Sequence, residues 1–388
     1  VHQATDTSLR RSPLYPFFAP MEGTKMFAPA VLRDREVDVL SKSMAGYSRK
    51  YGVVDPRILK SVLEQFIMED RDVRKGGIKK LLTDDEVLNG IHGQGLKGLT
   101  LNSSPGLPLV HEMAPGKAGK KTWITMGEDD QRTMCPEMWK KFNEAEADLR
   151  RGKMISLTSY ACLKDELRTE EKVAAKKTRS FIVLPLIFNM MIRKYFGQWI
   201  ACQHRLAGQI SSAVGIDANS DWTDLKRRLC AMGSDIEDFD YTDWDRSLHP
   251  EWFGAYSERV SAWYGDKRGS PEWMVRELLM RQLVFMNIQV GGWLLRTNGG
   301  NKSGCAITAE VNTDIHDMLT YYVWNKICLQ TGKSGVRSLT HFRERVALAL
   351  YGDDMLKATR ADVTPWFNGT AMKAVIEELG MHITPGDK

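Results

Sequence analysis

The chain has 388 residues, 43% hydrophobic and 27% charged, which excludes a largely disordered chain and, at roughly 150 residues per domain, suggests two to three compact units. Six cysteines stand singly with no CxxC pair, which excludes a zinc ribbon or a small disulfide scaffold and reads as reduced thiols in a cytosolic compartment. The net charge of +5 is uneven: residues 1–194 carry 33 Lys/Arg against 25 Asp/Glu, and residues 195–388 carry 21 against 24, which suits a polyanion partner beside a metal-holding region.

The chain opens without Met on polar residues and has no apolar secretory core, which suggests proteolytic release or a fragment. Residues 1–35, with Pro13, Pro16, Pro20 and Pro29, read as an extended arm. Helical periodicity with many charges runs over 36–90, a Gly/Pro/Ser-rich loop over 98–125 and a charged helix over 134–153. From Ser156 to Val183, strand-like pieces alternate with a charge-dense stretch, and one long helix is expected from Ile187 to Leu206. The longest apolar run, near Phe181–Ile192, is interrupted by Pro185 and Asn189, so no membrane span is expected. Ser234–Phe239 reads as a strand entering an acidic turn. Pro250 then opens a helix with Trp252, Phe253, Tyr256, Val260 and Trp263 at helical spacing. Gly299–Gly304 reads as a loop before a helix from about Cys305 to Asn325. Val346–Leu350, Gly352-Asp353 and Met355–Ala358 read as strand, tight turn, strand. Helices interspersed with antiparallel strands make the expected fold class α+β.

Asp235, Glu237, Asp238, Asp240, Asp243 and Asp245 place six carboxylates within eleven residues, with no Lys or Arg among them until the run ends. Alone, such a run reads as a solvated acidic loop. This one follows an apolar strand and leads into a helix, and a second pair, Asp353-Asp354, sits on the hairpin tip. Two adjacent aspartates on a tight turn are costly unless a cation offsets them. Mg²⁺ takes few carboxylates and leaves positions for substrate phosphates. Two such ions, roughly 4 Å apart, can clamp the attacking and leaving oxygens of a phosphoryl transfer. Between the two acidic elements, Ser303, Thr308 and Asn312 could meet a sugar hydroxyl, Thr308 and Asn312 sharing one helix face; the bland alternative is a helix cap with polar surface residues. Lys164, Arg168, Lys172, Lys176, Lys177 and Arg179 form a basic stretch interleaved with acids: either a salt-bridged surface or a wall for phosphates. Gly332-Lys333-Ser334 lacks the earlier glycine of a P-loop and is rejected as a nucleotide site.

These pieces, in this order, resemble the RNA-dependent RNA polymerases of picorna-like positive-strand RNA viruses. Asp240-Tyr241-Thr242-Asp243-Trp244-Asp245 looks like motif A, and Ser303-Gly304 with Thr308 and Asn312 like motif B. Tyr351-Gly352-Asp353-Asp354 is similar to motif C, and Leu379-Gly380 through Lys388 to the end of motif D. Leu163 to Arg168, Lys172 and Lys177-Thr178-Arg179 look like motif F, and Ser103-Ser104-Pro105-Gly106-Leu107-Pro108 like motif G. Ser8 to Pro13 and Pro29 to Leu32 resemble the family's N-terminal segment. Lys176 stands where many relatives have Gly. Ser103 and Leu107 replace the commoner Thr and Tyr, and Arg246 and Glu310 are bulkier or more charged than in many relatives.

The resemblance implies a right hand with fingers and palm. Fingers would take 1–195 and an insertion at 277–300; palm would take 196–276 and 301–388. The chain stops at Lys388, where the family continues into a primer-gripping hairpin and thumb, so a largely absent thumb is expected. The implied reaction is template-directed nucleotidyl transfer from an NTP to an RNA 3′-hydroxyl during viral genome replication. Asp240 and Asp353 would hold two Mg²⁺ ions (Mn²⁺ substituting), with Asp354 beside them, and Lys388 would serve as general acid. Lys164, Arg168, Lys172, Lys177, Arg179 and Gly304 would handle the NTP; Asp245, Ser303, Thr308 and Asn312 would sense its sugar. Ser103, Ser104, Pro105 and Gly106 would guide the template. Implied partners are template and primer RNA, NTPs, a small genome-linked protein primer and other viral replication proteins. The implied location is host cytoplasm at membrane-associated replication complexes. Two rivals stay open: a thumb-less fragment that binds RNA but extends it weakly, and another two-metal phosphoryl-transfer enzyme such as a nuclease.

Overall fold

The site is carried by a four-stranded antiparallel sheet assembled from distant parts of the chain, in a computed structural model that describes residues 3–18 and 27–385. Its order is Val346–Tyr351, Asp354–Thr359, Ile236–Tyr241, Ile383–Pro385. The hairpin expected around Gly352-Asp353 is present: Tyr351 pairs with Asp354, and Gly352 has φ +65°. A positive φ at the first central position of a two-residue turn favours glycine. The acidic strand alternates as a half-buried strand should. Phe239 and Tyr241 enter the core, while Asp238 and Asp240 face solvent. The expected strand therefore extends through Tyr241, two residues further than the sequence suggested.

Behind the sheet runs the Thr308–Gln330 helix, which is buried from Val311 through Asn325. Its polar residues, including Asp314, His316 and Asp317, are buried with its apolar ones, so it lacks the one-sided pattern of a surface helix. It starts three residues later than expected and runs five residues past Asn325. The Leu186–Arg205 helix is likewise buried over most of its length. Pro250 sits at the first helical position of Pro250–Tyr264, with His249 capping the helix by accepting from the Glu251 N–H.

The second four-stranded sheet has the order Ser180–Val183, Ser159–Leu163, Asn287–Val290, Trp293–Arg296. The 287–296 hairpin thus joins a sheet begun by the first half of the chain, through a parallel pairing of Ser159 and Tyr160 with Ile288 and Gln289. Phe27–Pro29 pairs with Leu167–Thr169, and Thr7 and Ser8 bond to Asp165. Among its described residues the N-terminal arm is therefore largely without helix, as expected, apart from a short one at Tyr15–Phe18. The two to three units expected from length are not separate cores. One hydrophobic cluster runs from Leu40 and Phe66 through Trp199 and Trp252 to Ile383. No helix among the described residues is long and apolar enough to cross a membrane.

Candidate active site

The register of the central sheet brings the two acidic motifs together. Met355 pairs with Phe239, so Asp354 runs toward Asp240, and Thr384 flanks Asp240 on its other side. Asp353, on the turn, is open to solvent on one side. Loss of solvent on its protein side, then the negative charges of Asp354, Asp245 and Asp240, pushes its pKa up. Three carboxylates from two motifs over a hundred residues apart therefore act on a fourth.

The remaining carboxylates of the acidic run have other partners. Glu237 pairs with buried Lys357 and accepts from the Gly369 N–H at 2.9 Å. Asp243 lies 3.5 Å from Arg246 and has φ +55°, a conformation Asp tolerates better than most residues. That bend turns the chain into the short Trp244–Ser247 helix, which carries Asp245. The six carboxylates are thus not one cluster, because cations distant in sequence or at its end neutralise part of the run. Among the described residues no three His, Cys, Asp or Glu side chains form a ready ligand cage. The oxygen donors of Asp240, Asp353 and Asp354, already repelling one another, fit a hard cation that completes its shell with water and phosphate.

Asp245 is tied to motif B. The Asn312 side-chain amide donates to its Oδ1 at 2.7 Å, and Asn301 donates to Asn312 Oδ1 at 2.8 Å. Desolvation pushes the Asp245 pKa up, against the Asn312 bond and the charges of Arg246, Lys164 and Lys302. Ser303 Oγ accepts weakly from the Ile182 N–H at 3.4 Å. Gly304 lies against Ile182 so closely that a Cβ would collide with its carbonyl oxygen, so only glycine fits. Thr308 does not present its hydroxyl as expected. It donates to the carbonyls of Cys305 (2.9 Å) and Lys302 (3.1 Å), closing the loop before the helix.

The basic stretch divides. Arg179 feels Asp353 and makes a bidentate pair with Glu166 at 2.6 and 2.5 Å, both of which raise its pKa, the Glu166 bond foremost. Lys164 is near enough to act on Asp245, and its N–H bonds to the Arg179 carbonyl at 2.8 Å. Arg168 lies 3.7 Å from Glu166, while Lys172 and Lys177 are exposed around the end of the Glu170–Ala174 helix. Lys176 has φ +51° and pairs with Asp34 at 2.9 Å. That left-handed backbone is what a glycine adopts without strain.

Ser103 lines a groove of about 800 Å³ that also meets Gly304, Glu310 and Tyr351. Ser104, Pro105 and Gly106 instead hold the loop to the scaffold. Ser104 bonds to Tyr160 at 2.7 Å, Pro105 accepts from Leu186 N–H at 2.8 Å, and Gly106 has φ +76°. Lys120 staples this loop through Thr100 O (2.9 Å), Ser103 O (3.0 Å) and Ser103 Oγ (2.5 Å); burial pushes its pKa down to about 8. Lys388 lies outside the described residues.

Sequence reasoning missed Thr313 and His316. Thr313 Oγ1 accepts from the Gly352 N–H at 2.8 Å, and His316 Nδ1 bonds to the Gly352 carbonyl at 3.1 Å. The helix thereby grips the turn that carries Asp353. Their spacing of three residues on one helix face was a signal, but nothing local showed what that face would meet.

A sequence profile described as viral RNA-dependent RNA polymerase matches residues 18–388, and the chain belongs to that family. It is 28% identical over 365 residues to the RNA1 polyprotein of Tomato ringspot virus (isolate raspberry), covering 90% of this chain and 16% of that polyprotein. The replicase polyprotein of Acute bee paralysis virus (strain Rothamsted) is 25% identical over 369 residues, 92% of this chain and 19% of that polyprotein. The chain thus spans less than a fifth of these relatives. In fold it is similar to a Sicinivirus 3Dpol RNA dependent RNA polymerase, with a TM-score of 0.80 and 24% identity, covering 100% of this chain and 75% of that one. The α+β right-hand polymerase fold is thereby established.

Proposed function

We propose that this chain carries out template-directed RNA synthesis for a positive-strand RNA virus. The observation that carries the reading is the convergence of Asp240, Asp245 and Asp354 on Asp353, with Arg179 beside them. Asp240 and Asp353 hold two divalent ions, Mg²⁺ or Mn²⁺, with Asp354 adjacent. Bound there, the ions supply Lewis acidity for the 3′-hydroxyl and charge compensation for the departing pyrophosphate. Arg179 and Lys164 orient the triphosphate, and Arg168, Lys172 and Lys177 line its approach. Asp245, oriented by Asn312, accepts from the ribose hydroxyls, which separates ribonucleotides from deoxyribonucleotides. Ser303 and Gly304 shape the floor of that pocket. Ser103 contacts template RNA from a loop held by Ser104, Pro105 and Gly106. Lys388 gives a proton to pyrophosphate.

On this reading, 1–195 and 277–300 are fingers, and 196–276 and 301–388 are palm. Partners are RNA, NTPs, a genome-linked protein primer and other viral replication proteins, at membrane-associated complexes in the host cytoplasm.

Primed extension on an RNA template with Mg²⁺ or Mn²⁺ tests the reading, comparing the wild-type chain with Asp353→Asn. The substitution should abolish extension while changing RNA affinity by less than about twofold, because phosphate contacts made by the fingers dominate binding. Loss of RNA binding in Asp353→Asn would overturn this division of labour. Template cleavage in place of extension would identify a nuclease.

A further inference from the structure

Lys302 immediately precedes Ser303-Gly304, is fully buried, and has no carboxylate bound to it. A buried ammonium without an anion is costly unless all three N–H donors are used. Here they are. Lys302 Nζ donates to Val284 O at 3.0 Å, Gly299 O at 2.8 Å and Gly300 O at 2.8 Å. Val284 is the last residue of the Pro271–Val284 helix, where carbonyls lack helical partners and the dipole favours a cation. The Tyr47 ring lies 5.3 Å from the ammonium.

The gathered loop leads directly to the sugar-reading carboxylate. Asn301 N–H donates to the Asp245 carbonyl at 2.7 Å, and Tyr47 Oη donates to Asn301 O at 2.9 Å. The Lys302 backbone N–H donates to Asn301 Oδ1 at 2.8 Å, which makes that side-chain oxygen the acceptor and turns the Asn301 amide nitrogen toward Asn312 Oδ1. The Asn312 nitrogen must then donate to Asp245 Oδ1. Each amide thus has one orientation, set in sequence from the Lys302 backbone N–H, and the side-chain ammonium holds that stretch of loop in place through the Gly299 and Gly300 carbonyls. Asp245 Oδ2 is left without a hydrogen bond from a described residue.

We propose that Lys302, with Tyr47, is a positioning residue for ribose selection: a buried clip of three carbonyls that fixes Asn301 and Asn312 and so aims Asp245 at the nucleotide's 2′-hydroxyl. This rests on the polymerase reading above. It differs from a merely structural role in its readout, because a misaimed Asp245 weakens ribonucleotides selectively, whereas general loosening weakens both sugars together.

The test is equilibrium binding of ATP and 2′-dATP with Mg²⁺, by competition against a fluorescent ATP derivative. Wild-type chain, Lys302→Met and the milder Tyr47→Phe are compared, with folding checked by circular dichroism. Wild type should prefer ATP. The preference should fall about tenfold in Lys302→Met and about threefold in Tyr47→Phe, since the first takes the ammonium from the Gly299 and Gly300 carbonyls and the second takes one hydroxyl from the Asn301 carbonyl. A preference unchanged in Tyr47→Phe and in folded Lys302→Met, or parallel weakening of both nucleotides, overturns the clip. A wild-type chain that binds both sugars equally overturns the ribose role of Asp245 itself, and the clip with it. Binding is read without turnover, so failure of extension and failure of the clip are distinguishable.

Discussion

His316 is buried between Trp244, at 4.5 Å between ring centroids, and Tyr241, at 5.1 Å, with its Nδ1 on the Gly352 carbonyl. A carbonyl only accepts, so Nδ1 carries the proton in the neutral ring, and Nε2 is buried without a partner. Burial lowers the His316 pKa to about 4 from an ordinary 6.5. Below pH 6.5 the unfolded chain takes up a proton that the native chain refuses. Stability is therefore complete above pH 6.5 and lost as pH falls toward 4, by about 3 kcal/mol for this one group. Chemical denaturation at pH 7 and at about pH 4.5 measures the loss. His316→Asn should reduce the difference between the two pH values; an unchanged difference would assign it to other groups.

Among the elements, the Thr308–Gln330 helix does most to build the site, although its sequence reads as ordinary core. From one face it supplies Thr313 and His316 to the Gly352 turn, and from its first turns Asn312 to Asp245. Thr313 Oγ1 donates to Ala309 O at 2.8 Å, so its lone pair is directed at the Gly352 N–H. Thr313→Val keeps the shape and leaves that buried N–H unsatisfied, costing about 1–3 kcal/mol at the turn that carries Asp353. We expect kcat for extension to fall roughly tenfold with a smaller change in KM, and Thr313→Ser to retain activity. Steady-state kinetics of the two variants decides it; equal defects in both would point to packing and not to the hydrogen bond.

For the whole molecule, a buried charge network joins the two halves of the chain. Asp70 accepts from Arg74 Nε at 3.0 Å and from Arg259 at 2.7 and 2.9 Å. Asp314 lies 3.6 Å from Arg74 and 3.7 Å from Arg259, and accepts from Trp199 Nε1 at 2.8 Å. Arg343 bridges Glu69 and Asp317 at 2.8 Å each. The helices that carry residues 70, 199 and 259 are thereby locked to the Thr308–Gln330 helix, which carries Asp314. Removing one partner strands buried charge, so Asp70→Ala should cost about 3–5 kcal/mol, whereas the apolar pair Asp70→Leu with Arg259→Met should cost less. Denaturant midpoints compare them, and a loss for Asp70→Ala no larger than for an exposed substitution would remove the network from the account.

The sequence alone determined the hairpin at Gly352-Asp353, the acidic strand, the long Leu186–Arg205 helix and the α+β class. These follow from local spacing and turn chemistry, which act over a few residues. It also pointed to Asp240, Asp245, Asp353, Asn312 and Arg179, because their residue types stand in an order that resembles one family. Only the tertiary structure decided which carboxylates of the acidic run meet a cation from elsewhere in the fold. Lys357 and Arg246 neutralise two of them, and Lys357 is 120 residues from its partner Glu237. It also decided that Thr308 bonds its own loop, that Thr313 and His316 hold the turn, and that Lys302 is buried on three carbonyls. Those outcomes depend on which faces meet across one continuous core. A side chain's partner there is set by the packing of distant elements, and local periodicity carries no record of it.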